Sequence, residues 1–215
     1  YIRAKEVLIS SGSIERPLVF GNNDTPGVML SSAAKEYLKV YGVLVGKKPL
    51  IFTNNDSGYE TAIEFKKNGV DPIILDTRKK PKSEIIDEAK KLDIQIKFSY
   101  VVVAAKGYKK VKSAEVAKIS DDKNELGTLE NINCDCICVS GFWTPTIHLA
   151  SQSGNKTTFN KDIDAFVPGL SKQNETTLGA ANGTFTLEET LKKSFESGYE
   201  LSKKITNNNN KISLP

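Results

Sequence analysis

An α/β fold with a parallel sheet is expected for this 215-residue chain. Short apolar strands alternate with amphipathic helices, as β-α-β-α-β, through the stretch that runs from "KPLIFT" to "IQIKF". Its strands are apolar throughout rather than alternating, the pattern of strands covered on both faces. A further apolar strand, "NCDCICVS", comes after a hairpin-like interruption and would rejoin the same sheet.

Each element has a local reason. "AKEVLISSGS" reads as a strand ending in a small-residue turn, and "ERPLVFGNNDTPGVML" as a loop broken by Pro17 and Pro26. "SSAAKEYLKVYG" reads as a helix, with Ser31 or Ser32 as its cap and Gly42 as its stop. After the strand "KPLIFT", the segment "DSGYETAIEFKKNG" is expected to be helical. Ala62, Ile63, Phe65 and Lys66 follow a 3.6-residue period, and Gly69 ends it. "VDPIILDT" is the second strand and closes on an acid. "PKSEIIDEAKKLD" is the second helix, with Ser83 or Pro81 at its start, and "IQIKF" is the third strand. "SYVVVAAKGYKKVKSAEVAKIS" carries two alternating stretches around "KGYKK", as a hairpin or small meander would. "DDKNELGTLE" is a polar turn. Residues 49–141 therefore form one complete nucleotide-type α/β unit. Beyond it, "GFWTPTIHLASQSG" is a loop passing into a short helix. "TLEETLKKSFESGYELSKKI" is an amphipathic helix, capped by Thr186 with Glu189 as the capping-box partner. "TNNNNKISLP" is a polar tail.

Bulk properties narrow the functional classes. No apolar run is long enough to cross a bilayer. The opening "YIRAKEVLIS" has neither an initial Met nor a secretory pattern, so the chain is expected to be cut from a longer polypeptide. The 30 basic and 26 acidic residues leave a net charge of +4, spread out and without interleaved aromatics, so no nucleic-acid partner is expected. Cys134, Cys136 and Cys138 are expected on one face of a strand by their period of two. They read as buried apolar residues of a reducing, cytoplasmic compartment, since metal sites favour CxxC spacing.

The chemistry concentrates in "IFTNNDSGYETA", aligned to the phosphate-binding pattern G-x-G-x-x-G. Thr53, Asn55 and Gly58 take the three glycine positions. Gly58 keeps the close helix-to-strand packing. Asn55 is expected to hold the turn through its tolerance of left-handed geometry, with its side chain toward the pyrophosphate. Asp56 would lie about 5 Å from a phosphate, at a cost of roughly 3 kcal/mol per charge pair, about a hundredfold in affinity. Asp56 is alternatively a helix cap in a loop that holds nothing. Asp76, at the end of the second strand, would accept hydrogen bonds from ribose hydroxyls and favour NAD over NADP, although Arg78 lies close; alternatively it is an exposed turn acid. No catalytic residue is identified. His148, the single histidine, reads as a packing residue. Phe142 and Trp143 read as packing between domains, or alternatively as an aromatic stack on a cofactor ring. No nucleophile elbow, carboxylate pair or CxxC redox pair is present.

Four segments together resemble the α subunit of heterotetrameric sarcosine oxidase: "RAKEVLISSGSIERPLVFGNNDTPGVMLSSAAKEYL", "GKKPLIFTNNDSGYETA", "CICVSGFWTPTIHLASQSG" and "GAANGTFTLEETL". The resemblance follows the chain in order as far as Ile205. It implies a Rossmann-like NAD-type domain, 44–141, inserted in parts of an FAD-type domain, 1–43 and 142–206, as in two-dinucleotide-binding flavoproteins. Residues 207–215 would be a polar tail. It also implies cofactor-binding roles for Ser11 and Gly12 in "ISSGS" and for Gly179 and Asn182 in "GAANG". Relatives carry a Gly-Asp pair where "GAANG" stands, and the aspartate is absent here. The implied activity is oxidation of sarcosine by a multisubunit enzyme, with FAD and FMN in the intact complex, NAD in the intact α subunit, and other subunits as partners. The amine-oxidation residues would lie elsewhere. Rival expectations are an NAD(P)H-dependent reductase domain feeding a flavin, a ligand-free assembly module, or an α subunit acting on another secondary amine such as proline.

Overall fold

The computed structural model describes residues 3–120 and 125–206. The expected tail, 207–215, and the first residues of the polar turn, 121–124, lie outside the described residues. The chain divides into a smaller unit, Tyr1–Ile14 with Trp143–Pro215, and a larger one, Glu15–Phe142. It opens with two short strands, β1 (Val7–Ile9) and β2 (Ser13–Glu15).

In the larger unit the order is β3 (Val28–Leu30), α1 (Ser31–Tyr41), β4 (Pro49–Thr53), α2 (Ser57–Lys67), β5 (Ile73–Asp76), α3 (Glu84–Lys91) and β6 (Gln95–Phe98). Then come β7 (Tyr100–Lys106), β8 (Ser113–Lys118), β9 (Glu130–Asn133) and β10 (Cys136–Ser140). β3, β10, β4, β5 and β6 lie side by side in that order, every neighbour pair parallel. β7, β8 and β9 form an antiparallel meander. Alternate residues of β4 divide between two cores. Ile51 packs with Tyr59, Phe65, Ile74 and Ile86 on the helical side. Leu50 and Phe52 pack with Val102, Val111 and Val116 on the meander side. Cover on both faces is why the strands read as continuous apolar runs.

Several expectations are corrected here. Residues 15–43 pack with the larger unit, since β3 pairs with β10 and α1 packs on α2. β3 was expected to be loop. It is three residues long, follows Pro26 and Gly27, and gains its hydrogen bonds from a strand far along the chain. Gly42 does end α1, at φ 65°, with its N–H donated to the Leu38 carbonyl. Neither serine caps that helix by its side chain: Leu30 holds the cap position. Instead the buried carboxylate of Glu15 accepts the Ser32 N–H at 2.8 Å, which suits the positive end of the helix dipole.

The three cysteines do not share a face. Cys136 and Cys138 join the helical core, whereas Cys134 joins the meander core. The chain changes partners between them. Cys134 N–H bonds the Lys112 carbonyl of the meander side, and Asp135 N–H bonds the Lys48 carbonyl beside β4. Strand alternation therefore starts only at Cys136.

The smaller unit contains β11 (Trp143–Pro145), α4 (His148–Gln152), the hairpin β12 (Thr157–Asn160) and β13 (Ala165–Pro168), β14 (Glu175–Thr177) and α5 (Leu187–Thr206). β1 and β14 pair in parallel. Thr186 caps α5, its Oγ1 accepting the Glu189 N–H at 3.4 Å. His148 is exposed at the start of a five-residue helix, so the packing role expected of it does not hold. Among the described residues, no helix is long and apolar enough to cross a membrane.

Candidate nucleotide-type site

From β4 the larger sheet grows to one side through β5 and β6, and to the other through β10 and β3. Such a reversal opens a crevice beyond the carboxyl ends of the two strands that flank it, the usual ligand position in open α/β sheets. Thr53 ends β4, Ser140 ends β10, and the two are register partners.

The crevice is bridged by the chain's own groups. Asn55, 5% exposed, donates through Nδ2 to the Ser140 carbonyl at 3.0 Å and to Ser140 Oγ at 3.2 Å. Its Oδ1 accepts the Ser57 N–H at 2.9 Å and also meets the Ser57 hydroxyl. Ser57 Oγ and Ser140 Oγ are 3.0 Å apart. The Asn54 N–H donates to the Ser140 carbonyl at 3.3 Å, and the Asn55 N–H to Thr53 Oγ1 at 3.1 Å. Two expectations for Asn55 fail together: it is not left-handed, and its side chain points into the protein rather than toward a phosphate. A phosphate loop works by aiming unspent amides outward. Here the amides of Asn54, Asn55 and Ser57 are already bonded inside.

Gly58 behaves as expected. A Cβ there would lie 2.7 Å from both Cβ and Oγ1 of Thr53, so α2 approaches β4 through bare backbone. Asp56, by contrast, does not cap α2: it is already helical, and the capping acceptor is Asn55.

A second cluster ties the end of β5 to the start of α2. Asp76 is fully buried, so it is not an exposed turn acid. Its Oδ1 accepts the Arg78 N–H at 2.9 Å and Arg78 Nε at 3.0 Å. Its Oδ2 accepts Arg78 Nη2 at 2.8 Å and the Tyr59 hydroxyl at 2.7 Å. Arg78 Nη1 reaches Asp56 Oδ1 at 2.8 Å. Burial and the Asp76 hydrogen bond push the Tyr59 phenol well above its ordinary value. Burial disfavours the Arg78 charge, but the bonds to Asp76 and then Asp56 outweigh it and hold the guanidinium protonated. The lone charge expected at Asp56 is thus a member of an ion pair. Arg78 carried a signal in the sequence, two residues after the strand-ending acid. Ser140 and Tyr59 carried none, because their partners lie on other elements.

Ser11, Gly12, Gly179 and Asn182 belong to the smaller unit. Ser11–Gly12 and Gly179 follow the carboxyl ends of the paired strands β1 and β14, and the Leu178 N–H donates to the Ile9 carbonyl. Gly12 and Gly179 have φ of 73° and 65°, a region costly for side chains. Ser11 Oγ donates to the Thr146 carbonyl at 2.7 Å. Asn182 is exposed at the end of the 3₁₀ turn Gly179–Asn182. The eight residues therefore form two separate groups, each at a strand end of its own unit.

No family model matches the chain. Sarcosine oxidase subunit alpha of Corynebacterium sp. (strain P-1) is 33% identical over 193 residues, covering 89% of this chain and 20% of that protein. The subunit of the same name from Rhizobium meliloti (strain 1021) is 38% identical over 191 residues, covering 85% and 18%. This chain belongs with the sarcosine oxidase α subunits. It spans about a fifth of the length of those relatives. Among solved structures, thioredoxin reductase of T. acidophilum matches with a TM-score of 0.68 at 18% identity, over 87% of this chain and 61% of that one. L-proline dehydrogenase from P. horikoshii matches with 0.53 at 20% identity, over 83% and 30%. The flavoprotein disulfide reductase RclA from Escherichia coli gives 0.66 at 14% identity, over 94% and 44%. Such identities speak for the fold alone. They place this sarcosine oxidase α-type chain in the expected class, the α/β fold of two-dinucleotide-binding flavoproteins.

Proposed function

We propose that this chain is the nucleotide-type part of a sarcosine oxidase α subunit, contributing to oxidative demethylation of sarcosine without supplying the amine-oxidation residues. In this reading the larger unit is the NAD-type domain, and it acts as a scaffold with a degenerate loop. The smaller unit is part of the FAD-type domain, and its strand-end group, Ser11, Gly12, Gly179 and Asn182, faces the dinucleotide, with NAD the first candidate. The intact complex would add FAD, FMN and the other subunits, in the cytoplasm. The observation that carries the reading is the stitching of the β4 and β10 ends, where Asn55 bonds Ser140 and Ser57 and the Ser57 and Ser140 hydroxyls meet. A pyrophosphate there would have to break about four internal hydrogen bonds, each worth about 1 kcal/mol net.

The test is titration of the full chain with NAD by calorimetry. Binding is expected to weaken at least tenfold on changing Gly12 or Gly179 to Val, and less than twofold in Asp76→Asn. Micromolar binding abolished in Asp76→Asn, but untouched at Ser11 and Gly12, overturns the assignment. A second reading is an α subunit serving another secondary amine such as proline. Turnover of the assembled enzyme with sarcosine against proline separates the two.

A further inference from the structure

Arg78 is poorly explained as a surface ion pair. It spends five contacts on two carboxylates: its N–H, Nε and Nη2 on Asp76, with Nε shared between both oxygens, and Nη1 on Asp56. Asp76 has no solvent exposure while the Arg78 side chain retains 30%, so the guanidinium forms the outer cover of the acid. Beneath lies the fully buried Tyr59, its hydroxyl on Asp76 and its ring 6.0 Å from the guanidinium carbon. The acid stands at the strand end where a ribose diol would be read in a sheet of this type. A diol needs free carboxylate lone pairs, and both oxygens of Asp76 are engaged. An Arg fork satisfies a carboxylate bidentately, and removing one partner of a buried pair leaves the other charge uncompensated.

We infer that Arg78 is an internal ligand: the sugar end of the larger unit's crevice is a guanidinium-binding site, made of Asp76, Asp56 and Tyr59, that the chain fills with its own side chain. The inference rests on reading the larger unit as a scaffold, and it explains how that crevice stays closed to hydroxyl-bearing ligands. A neutral diol offers no positive charge in exchange for the one it displaces. A small guanidinium compound does, once the Arg78 side chain is gone.

The test is chemical rescue in the full chain. Arg78→Ala is expected to lower the thermal midpoint by roughly 5–15 °C. Methylguanidinium chloride at low millimolar concentration should recover at least half of that loss. Methylammonium chloride at equal ionic strength should recover little, and the unsubstituted chain should shift by no more than about a degree. In Arg78→Ala/Asp76→Asn the guanidinium-specific recovery should vanish. Equal rescue by both cations, or rescue that survives Asp76→Asn, overturns the inference. Should Arg78→Ala fail to fold, the unsubstituted chain decides through the NMR signal of the Arg78 Nε–H. That proton is expected to be protected from exchange and unmoved by millimolar ADP-ribose; displacement by ADP-ribose overturns the inference. A chain that binds no nucleotide anywhere contradicts the proposed function but leaves the rescue result intact, so the two failures are distinguishable.

Discussion

The turn at Thr53–Gly58 and the turn at Gly179–Gly183 follow strands in comparable positions, yet they treat their backbone in opposite ways. The first has lost two glycines and folded its polar side chains inward, where Asn55 and Ser57 knit β4 to β10. The second keeps Gly179 and Gly183 at φ of 65° and 76°, with the exposed Asn182 between them. One turn gains stability by consuming its own donors. The other bonds the Gly183 and Thr184 amides within itself and holds a left-handed backbone that glycine adopts without strain. The contrast teaches that a strand–turn–helix in the right place is not yet a site. What matters is where its polar side chains and acids are already bonded.

Substitutions should separate the two turns, the stitched one responding in stability and the glycine one in nucleotide affinity. The largest effect is expected for Gly58→Ala. Its new Cβ would meet Thr53 at 2.7 Å, and overpacking of this kind costs about 3 kcal/mol. Urea denaturation reads it, and Thr53→Gly in the same chain should return part of the loss. Asn55→Ala should follow at about 2–3 kcal/mol, because the Ser57 N–H and the buried Ser140 groups lose their partner. NAD affinity should stay within twofold in that variant. A loss of affinity there, without loss of stability, would make the stitched turn a binding loop and dissolve the contrast.

Alkaline stability gives a third measure. The buried Cys134 thiol is pushed up to about 12 from an ordinary 9.0, by burial first and then by Cys136 and Asp135. The Tyr59 phenol is raised as well. Both groups hold their protons more tightly when folded. The Cys134 contribution is complete below pH 9 and falls away as pH rises from about 9 toward 12, and the Tyr59 contribution begins to fall only above its ordinary 10.0. Thermal melts should be flat from pH 7 to 8.5 and decline above 9, and Cys134→Ala should soften the start of the decline. The smallest stability change, about 1 kcal/mol, is expected for Gly179→Ala, since its φ is left-handed while its Cβ would meet only Thr190 Cγ2 at 3.4 Å. That variant should nevertheless lose nucleotide affinity at least fivefold by calorimetry.

Much of the larger unit was legible locally. The apolar runs of β4, β5 and β10, the periods of α2 and α3, the stop at Gly42 and the meander all follow from neighbours a few residues apart. Gly58 was legible too, because close packing of helix on strand leaves one choice of residue. Features that join distant segments were not. The cap on α1 comes from Glu15, seventeen residues before the Ser32 amide. β3 exists because β10 pairs with it, and Cys134 leaves the face of Cys136 and Cys138 because its backbone bonds the meander. The hairpin of β12 and β13 has no strong alternation in "TTFNKDIDAFVP" to announce it.

The order of apolar strands and amphipathic helices determined the α/β fold, and the degenerate glycine pattern determined that the loop between β4 and α2 was irregular. Only the tertiary structure decided where Asn55 points, that Ser140 receives it, and that Arg78 covers Asp76. Backbone periodicity is set by steric and burial preferences within one element. The direction of a polar side chain is set by whichever distant donor or acceptor the fold brings within about 3 Å.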